Sequence, residues 1–183
     1  MQKPAPFYHN IKKVKAIVLG ADPSNSTNEG QTVKLKYVFG IESGDKRYFQ
    51  QILKNLNQIG LTINDIYVQN LIQDYHKEDT SKNKAWEATA EIWLPILKKE
   101  LDEFDPNRRI PVLITAERIM KFLFRKAVPE AGDVYSGAKP GIVDKENSKL
   151  ERKLIPFYRH YQYSLEKVDY AIYHDCLKGI FNF

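Results

Sequence analysis

The sequence lacks several features that define common classes of protein. Its one cysteine, Cys176, can form no internal disulfide, which excludes the disulfide-stapled class and favours a reducing, cytoplasmic environment. No run approaches about 18 apolar residues, so no membrane-spanning helix and no membrane partner are expected. With only nine glycines and nine prolines, collagen-like and low-complexity chains are also excluded. A single cysteine and four scattered histidines give no metal-ligand spacing, so no metal is predicted.

The composition that is present suits one globular domain. Apolar residues make up 43% and aromatic residues 12% of the 183 residues, which excludes disorder as the main state and predicts a single domain spanning 1–183. Lys and Arg number 28 against 23 Asp and Glu, a net charge of +5. That excess permits an anionic partner such as DNA but does not by itself require one. We expect a monomer.

Short apolar runs alternate with segments of helical periodicity. Strands are predicted at 14–19, 65–71, 110–115 and 154–157, with a more loosely alternating strand candidate at 34–39. Helices are predicted from Gly44 or Asp45 to Ile59, at 86–104, at 117–126 and near the end of the chain. This order predicts an α/β fold, a three-layer α/β/α sandwich around a central, mostly parallel, four-stranded sheet.

Three details of this prediction can be checked directly. Pro95 lies inside the second helix and is expected to kink or split it. The segment 128–149 has no periodicity and is expected to be a loop. The buried face of the last helix is predicted from its apolar spacing to carry Leu165, Val168, Ile172, Cys176 and Ile180.

In a parallel sheet, functional residues collect in the loops that follow the carboxyl ends of the strands. Gly20-Ala21-Asp22-Pro23 follows the first strand, where glycine allows close backbone approach and Asp22 supplies a carboxylate. An ordinary turn capped by the aspartate is the alternative. Asn70 closes the strand at 65–71 and can pair with the edge of a nucleobase, or it can simply cap the strand end. Phe39 can stack on a flat ligand, or it can belong to the core.

The loop after the last strand concentrates aromatic and basic side chains. His160 can donate a hydrogen bond to a developing anion, and Arg159 can bind a phosphate. The tyrosines of this loop, which include Tyr161 and Tyr163, can stack on bases or wedge between them. A structural histidine in an ordinary surface loop is the alternative.

Taken in order, these segments resemble the uracil-DNA glycosylase superfamily. Its family-1 members carry G-Q-D-P-Y-H after the first strand, where this chain has Gly20-Ala21-Asp22-Pro23. The family's A-F-S segment is similar to Val38-Phe39-Gly40, and its L-N-T strand end is similar to Gln69-Asn70-Leu71.

Weaker matches continue along the chain, which together extend the resemblance from about Val14 to Ser164. The W-E-x-F-T helix start of the family is similar to Trp86-Glu87-Ala88-Thr89, and its strand and helix around L-W-G resemble residues 112–123. The family's H-P-S-P-L-S loop matches His160 and, approximately, Ser164.

The resemblance implies a monofunctional DNA glycosylase that needs no cofactor and acts on uracil or another damaged base. Asp22 would position water and stabilise the cationic sugar, and His160 would donate to the leaving base. Gly20, Ala21, Pro23, Phe39 and Asn70 would bind the base. The residues that would contact DNA are Arg159, Tyr161, Tyr163 and Ser164. Tyr163 or Leu165 would fill the space that the extruded base leaves in the base stack. Lys36 and Lys139 are expected at the rim of the binding site around Asp22.

The chain also departs from the family pattern. Ser24 and Asn25 replace the Tyr and His that follow Asp-Pro, and Tyr161 and Gln162 replace the Pro and Ser after the loop histidine.

Two alternatives therefore stay open. The first is a catalytically altered relative that binds nucleic acid or a protein partner. The second is an unrelated α/β enzyme for a small phosphorylated or nucleoside ligand, in which Asn70 and His160 would lie far from Asp22.

Overall fold

The central feature of the structure is a parallel sheet made from four short, fully buried strands. The structure is a computed structural model that describes residues 3–23, 34–42, 47–75, 80 and 82–181. Within these ranges the strands are β1 Ala16–Gly20, β2 Ile66–Asn70, β3 Val112–Ile114 and β4 Leu154–Pro156, in the order β2-β1-β3-β4. Runs of buried aliphatic residues are typical of parallel strands covered on both faces. The predicted α/β fold is confirmed.

Five α-helices lie within the described residues and cover the sheet. They are α1 Arg47–Gln58, α2 Trp86–Phe104, α3 Glu117–Leu123, α4 Ala131–Tyr135 and α5 Ala171–Phe181. Successive side chains of a strand point to opposite faces of the sheet. Tyr67 and Gln69 of β2 contact α2, whereas Asn70 lies on the opposite face with Phe39, whose ring is 5.4 Å from Phe49 of α1. The sheet is therefore the middle of three layers.

Backbone hydrogen bonds continue past the carboxyl ends of the strands. Leu71 N–H donates to the Gly20 carbonyl at 2.8 Å, and Thr115 N–H donates to the Leu19 carbonyl at 3.1 Å. Arg159 N–H donates in turn to the Thr115 carbonyl at 3.1 Å. The loops that follow all four strands therefore start from one continuous, fixed edge.

The prediction of a strand at 34–39 is wrong. This segment forms only an isolated bridge, between Tyr37 and Ala5, and then turns into a 3-10 helix at Val38–Gly40. Its loose alternation reflects pairing with the N-terminal segment, because Ala5 N–H donates to the Lys36 carbonyl and Val38 N–H donates to the Ala5 carbonyl. Gly44 and Asp45, predicted to start the first helix, lie outside the described residues.

Two details of the predicted helices differ from the structure. Of the kink or split predicted at Pro95, the split is wrong: α2 runs through Pro95, which lies on its exposed side, where water can bond the Glu91 carbonyl left without its helical donor. The segment 128–149, predicted to be a loop, contains α4 and a 3-10 turn at Lys145–Asn147.

The predicted face of the last helix is right at Leu165, which is buried, and at the half-buried Ile180, which packs against the core, but wrong at its other three residues. Val168 and Ile172 are 89% and 68% exposed, and Cys176 is exposed, whereas Tyr173, Leu177 and Phe181 of α5 are buried. Tyr173 overrides the apolar pattern because its hydroxyl donates to the Pro156 carbonyl at 2.7 Å, which satisfies the polar end of a large buried ring. Within the described ranges, no helix combines the length and hydropathy needed to cross a lipid bilayer.

A buried ion network fixes the opposite, amino-terminal edge of the sheet. The fully buried Arg152 guanidinium contacts the Asp105 carboxylate and lies 2.8 Å from the Asp102 carboxylate. Burial alone would raise the pKa of Asp102, but hydrogen bonds from Arg108 and Arg152 outweigh it and lower the pKa. This network joins the end of α2 to the start of β4.

We expect Arg152→Met to destabilise the fold by about 3–5 kcal/mol, because it leaves the buried Asp105 carboxylate without its cation. Urea unfolding measures the change. The matched control is Arg109→Met, an exposed neighbour that should change the free energy of unfolding by less than about 0.5 kcal/mol. Equal effects of the two variants would show that the network contributes no more than a surface arginine.

Candidate functional site

Gly20, Asn70 and Phe39 meet at the carboxyl edge of the sheet. Gly20 and Asn70 are register partners at the ends of β1 and β2. A Cβ atom added to Gly20 would lie 2.1 Å from Asn70 Oδ1 and 2.6 Å from Phe39 Cζ. Both side chains therefore occupy the space that any side chain at position 20 would fill.

Phe39 holds an unusual backbone conformation at this site. Its φ is 60° and that of Gly40 is 61°, in the left-handed region that bulky residues rarely adopt. Such a conformation costs about 1–3 kcal/mol and persists only where the surroundings enforce it. The bridge between Ala5 and Tyr37 fixes the preceding backbone, and the Phe49 ring supports the half-buried Phe39 ring.

The side-chain amide of Asn70 is a candidate for ligand binding. Asn70 is 3% exposed, and its backbone N–H donates to Gln69 Oε1 at 2.8 Å. Its side-chain amide, by contrast, makes no hydrogen bond with any described residue. Its amide atoms are not among the buried atoms that lack a partner, so they reach solvent at the rim of the sheet, where a ligand can meet them. The amide offers two donors and one acceptor.

The Glu100 carboxylate supports Asn70 from the other face of the sheet, a feature that the sequence analysis missed. It accepts hydrogen bonds from the Tyr67 hydroxyl, from Gln69 Nε2 at 2.7 Å and from Gln73 Nε2 at 2.7 Å. Burial, and then the negative charge of Glu100, raise the pKa of Tyr67 well above its ordinary range. Gln69 therefore has a fixed orientation, with its amide nitrogen on Glu100 and its oxygen on the Asn70 backbone.

Asp22 is anchored through one of its carboxylate oxygens. Oδ2 accepts the indole N–H of the fully buried Trp86 at 2.8 Å and the Thr80 hydroxyl at 2.7 Å. Arg118 lies over the Trp86 ring at 4.9 Å and donates to the carbonyls of Thr80 and Asn83. The carboxylate two residues after Gly20 is thus fixed by the start of α2.

His160 is exposed and lies in the loop after β4, which we call the His160 loop (residues 157–165). Its Nδ1 accepts the Gln162 backbone N–H at 3.3 Å, so the neutral ring carries its proton on Nε2. Nε2 makes no hydrogen bond with any residue in the described ranges. The ring is 4.4 Å from that of Tyr161, which is 74% exposed.

A cavity of about 170 Å³ lies beside His160, between the ends of β3 and β4. It is lined by Thr115, Ala116, Glu117, Tyr158, Arg159, His160 and Tyr163. Asp22, Phe39 and Asn70 do not line it. The site therefore has two parts along one edge. The spacing of parallel strands puts Leu19 of β1 and Pro156 of β4, in register through Ile114, about 10 Å apart.

The remaining predicted residues differ in their accessibility. Ala21 is half-buried and Pro23 is buried. Leu165 is 2% exposed, and the half-buried Tyr163 packs against Tyr135 with the two rings 4.7 Å apart. Ser164 is half-buried, whereas Arg159 is exposed.

Of the two rim lysines, Lys36 is exposed over the Tyr37 ring at 5.0 Å, whereas the Lys139 ammonium lies 2.7 Å from the Asp133 carboxylate. The ion pair offsets the positive charge of Lys139. Ser24 and Asn25 lie outside the described residues. Among the residues that are described, no three His, Cys, Asp or Glu side chains group closely enough to hold a metal ion.

The comparisons with known proteins add no assignment. No protein-family model matches the chain, and no curated protein is significantly similar to it in sequence.

Gly20→Ala tests the packing at the first part of the site. The added methyl must displace Asn70 or Phe39, so we expect a loss of about 1–3 kcal/mol in the free energy of unfolding. Gly179→Ala in α5, where nothing lies within 4 Å of the added Cβ, should instead stabilise by about 0.5–1 kcal/mol. Urea unfolding of both variants measures this contrast, and a Gly20→Ala protein as stable as the wild type would contradict it.

Proposed function

We propose that the protein is a DNA glycosylase that hydrolyses the N-glycosidic bond of uracil or another damaged base, as a monomer in the cytoplasm. The observation that carries the proposal is the unpaired Asn70 amide beside the Phe39 ring, both packed over the face of Gly20 that lacks a Cβ. A flat ring for stacking and an amide for edge pairing are the two contacts that recognise an extruded nucleobase. The anchored Asp22 carboxylate follows two residues after Gly20.

In the proposed reaction, the bond between the sugar C1′ and the base nitrogen breaks, and its electron pair leaves with the base. Water then adds to the cationic sugar, and the proton that it loses ends on the released base anion. Asp22 stabilises the positive charge and orients the water, because the bonds from Trp86 and Thr80 fix its direction. A preorganised carboxylate of this kind needs little rearrangement during the reaction.

His160 supplies the donor for the leaving base. Because Nδ1 is engaged by Gln162, the neutral imidazole presents its Nε2–H outward. In enzymes where a donor aimed at a developing anion has been removed, the loss of transition-state stabilisation is about 2.7–4 kcal/mol. The exposed Arg159 beside it suits a phosphate contact.

The direct test is base release from oligonucleotides that carry uracil, hypoxanthine, xanthine or mismatched thymine. Asp22→Asn and His160→Ala should each lower the rate of release by about 10²–10³-fold, because each removes one preorganised charge-stabilising group. Asp175→Asn, an exposed carboxylate on α5, is the matched control and should release base at the wild-type rate.

No release from any of these substrates would refute the proposal. Salt-dependent oligonucleotide binding that survives Asp22→Asn, together with no release, would instead identify a non-catalytic nucleic-acid-binding protein.

Tyr161 is the residue of the His160 loop best exposed for insertion into a duplex, at 74%. We expect Tyr161→Ala to slow release from duplex DNA more than release from the same single strand, because only the duplex has a vacated stack to fill. Tyr8→Ala, which removes another exposed tyrosine ring (46%), should slow neither. The ratio of duplex to single-strand rates is the measurement, and an unchanged ratio for Tyr161→Ala would exclude a wedge role.

A further inference from the structure

Two buried polar side chains reach the His160 loop from distant parts of the chain. Asn55 comes from α1 and Tyr135 comes from α4, in the segment 128–149. Both side chains are fully buried. They bind the loop backbone on either side of His160, at Tyr158 on one side and at Tyr163 and Leu165 on the other.

Asn55 holds the end of the loop that returns to the core. Its Nδ2 donates to the Tyr163 carbonyl at 3.0 Å, and its Oδ1 accepts the Leu165 N–H at 3.0 Å. A second donor, Gln51 Nε2, reaches Oδ1 at 2.9 Å and fixes the orientation of the amide. Asn55 lies among the buried apolar residues Phe49, Ile52 and Leu56 of α1. An apolar residue at position 55 would avoid the free-energy cost of removing a polar amide from water.

Tyr135 holds the other end of the loop. Its hydroxyl oxygen accepts the Tyr158 N–H at 2.7 Å, and its ring lies 4.7 Å from that of Tyr163. Between the two anchors the backbone is closed by internal bonds, including Tyr163 N–H to the His160 carbonyl at 2.9 Å. The short exposed stretch that carries His160 is therefore fixed at both ends.

Helix α1 also connects the two parts of the site. Phe49 packs against Phe39, and Asn55, six residues further along the same helix, binds the His160 loop. Six helical residues span about 9 Å. The helix thus sets the distance between the ring at the base-binding part and the loop that carries the imidazole.

We propose that Asn55 and Tyr135 are positioning residues that hold His160 at the correct distance from Phe39 and Asn70 for base release. This inference rests on the proposed function, because it assigns the loop geometry a role in that reaction. Neither residue touches the base in this account. Each acts through the backbone of the His160 loop.

The experiment compares two variants of nearly unchanged size. Asn55→Asp removes the donor to the Tyr163 carbonyl but keeps the acceptor for Leu165, and Tyr135→Phe removes only the hydroxyl that binds Tyr158. We expect kcat for release from a deoxyuridine oligonucleotide to fall roughly a hundredfold with KM unchanged, because misplacing a catalytic group by about 1 Å costs that factor.

Matched controls separate positioning from general packing. Asn57→Asp changes an exposed asparagine on the same helix. Tyr173→Phe removes a hydroxyl that donates to Pro156, in the same group of tyrosines, but makes no bond to the loop after it. Both controls should keep the wild-type kcat. If Asn55→Asp and Tyr135→Phe lower only Tm and keep full activity per folded molecule, the proposal is wrong.

Hydrogen exchange of the amides of residues 158–165 gives a readout that needs no activity. Exchange should accelerate in Asn55→Asp and Tyr135→Phe and stay at the wild-type rate in both controls. If the wild type releases no base, the proposed function fails, and these exchange rates still decide whether the two side chains anchor the loop. Equal exchange in all variants would overturn the anchoring as well.

Discussion

The carboxyl edge of the sheet depends on the missing side chain at Gly20. The Asn70 amide and the Phe39 ring lie in the volume that a Cβ at position 20 would occupy. Both groups can therefore pack against this part of β1 only because residue 20 is a glycine. The neighbouring constraints agree with this requirement. The left-handed backbone at Phe39 aims its ring over β1, and the Gln69 side chain, fixed by Glu100, holds the backbone of Asn70.

Polar side chains on this edge are held by a second set of buried or half-buried groups, which come from helices α1 and α2. Trp86 at the start of α2 fixes Asp22, Glu100 further along α2 supports Gln69 beside Asn70, and Asn55 of α1 fixes the His160 loop. A catalytic side chain needs such support because its own rotamers would otherwise average its position. At the opposite, amino-terminal edge of the sheet, the buried charge of Arg152 instead joins the end of α2 to the start of β4.

The sequence was informative where local chemistry and tertiary structure agree. Buried aliphatic runs predicted all four strands, and Gly20 and Asn70 were correctly expected at strand ends. The failures have physical causes. The hydropathy of Ile172 exceeds that of Tyr173, but a hydrogen-bonded tyrosine can be buried as deeply as an isoleucine. Asn55 was missed although the signal was present, since it is a polar residue on the apolar face of α1. Its partners lie more than a hundred residues away, and no local pattern reveals them.

The central claim is that a nucleobase stacks on Phe39 and pairs through its edge with the Asn70 amide. It is tested most directly by nuclear magnetic resonance of the ¹⁵N-labelled protein with an oligonucleotide that carries a 2′-fluorinated deoxyuridine, whose glycosidic bond resists cleavage because fluorine destabilises the cationic sugar. The side-chain NH₂ signal of Asn70, assigned by its loss in Asn70→Asp, should shift on titration together with the Gly20 amide. Binding of the oligonucleotide with both signals unmoved would contradict the account.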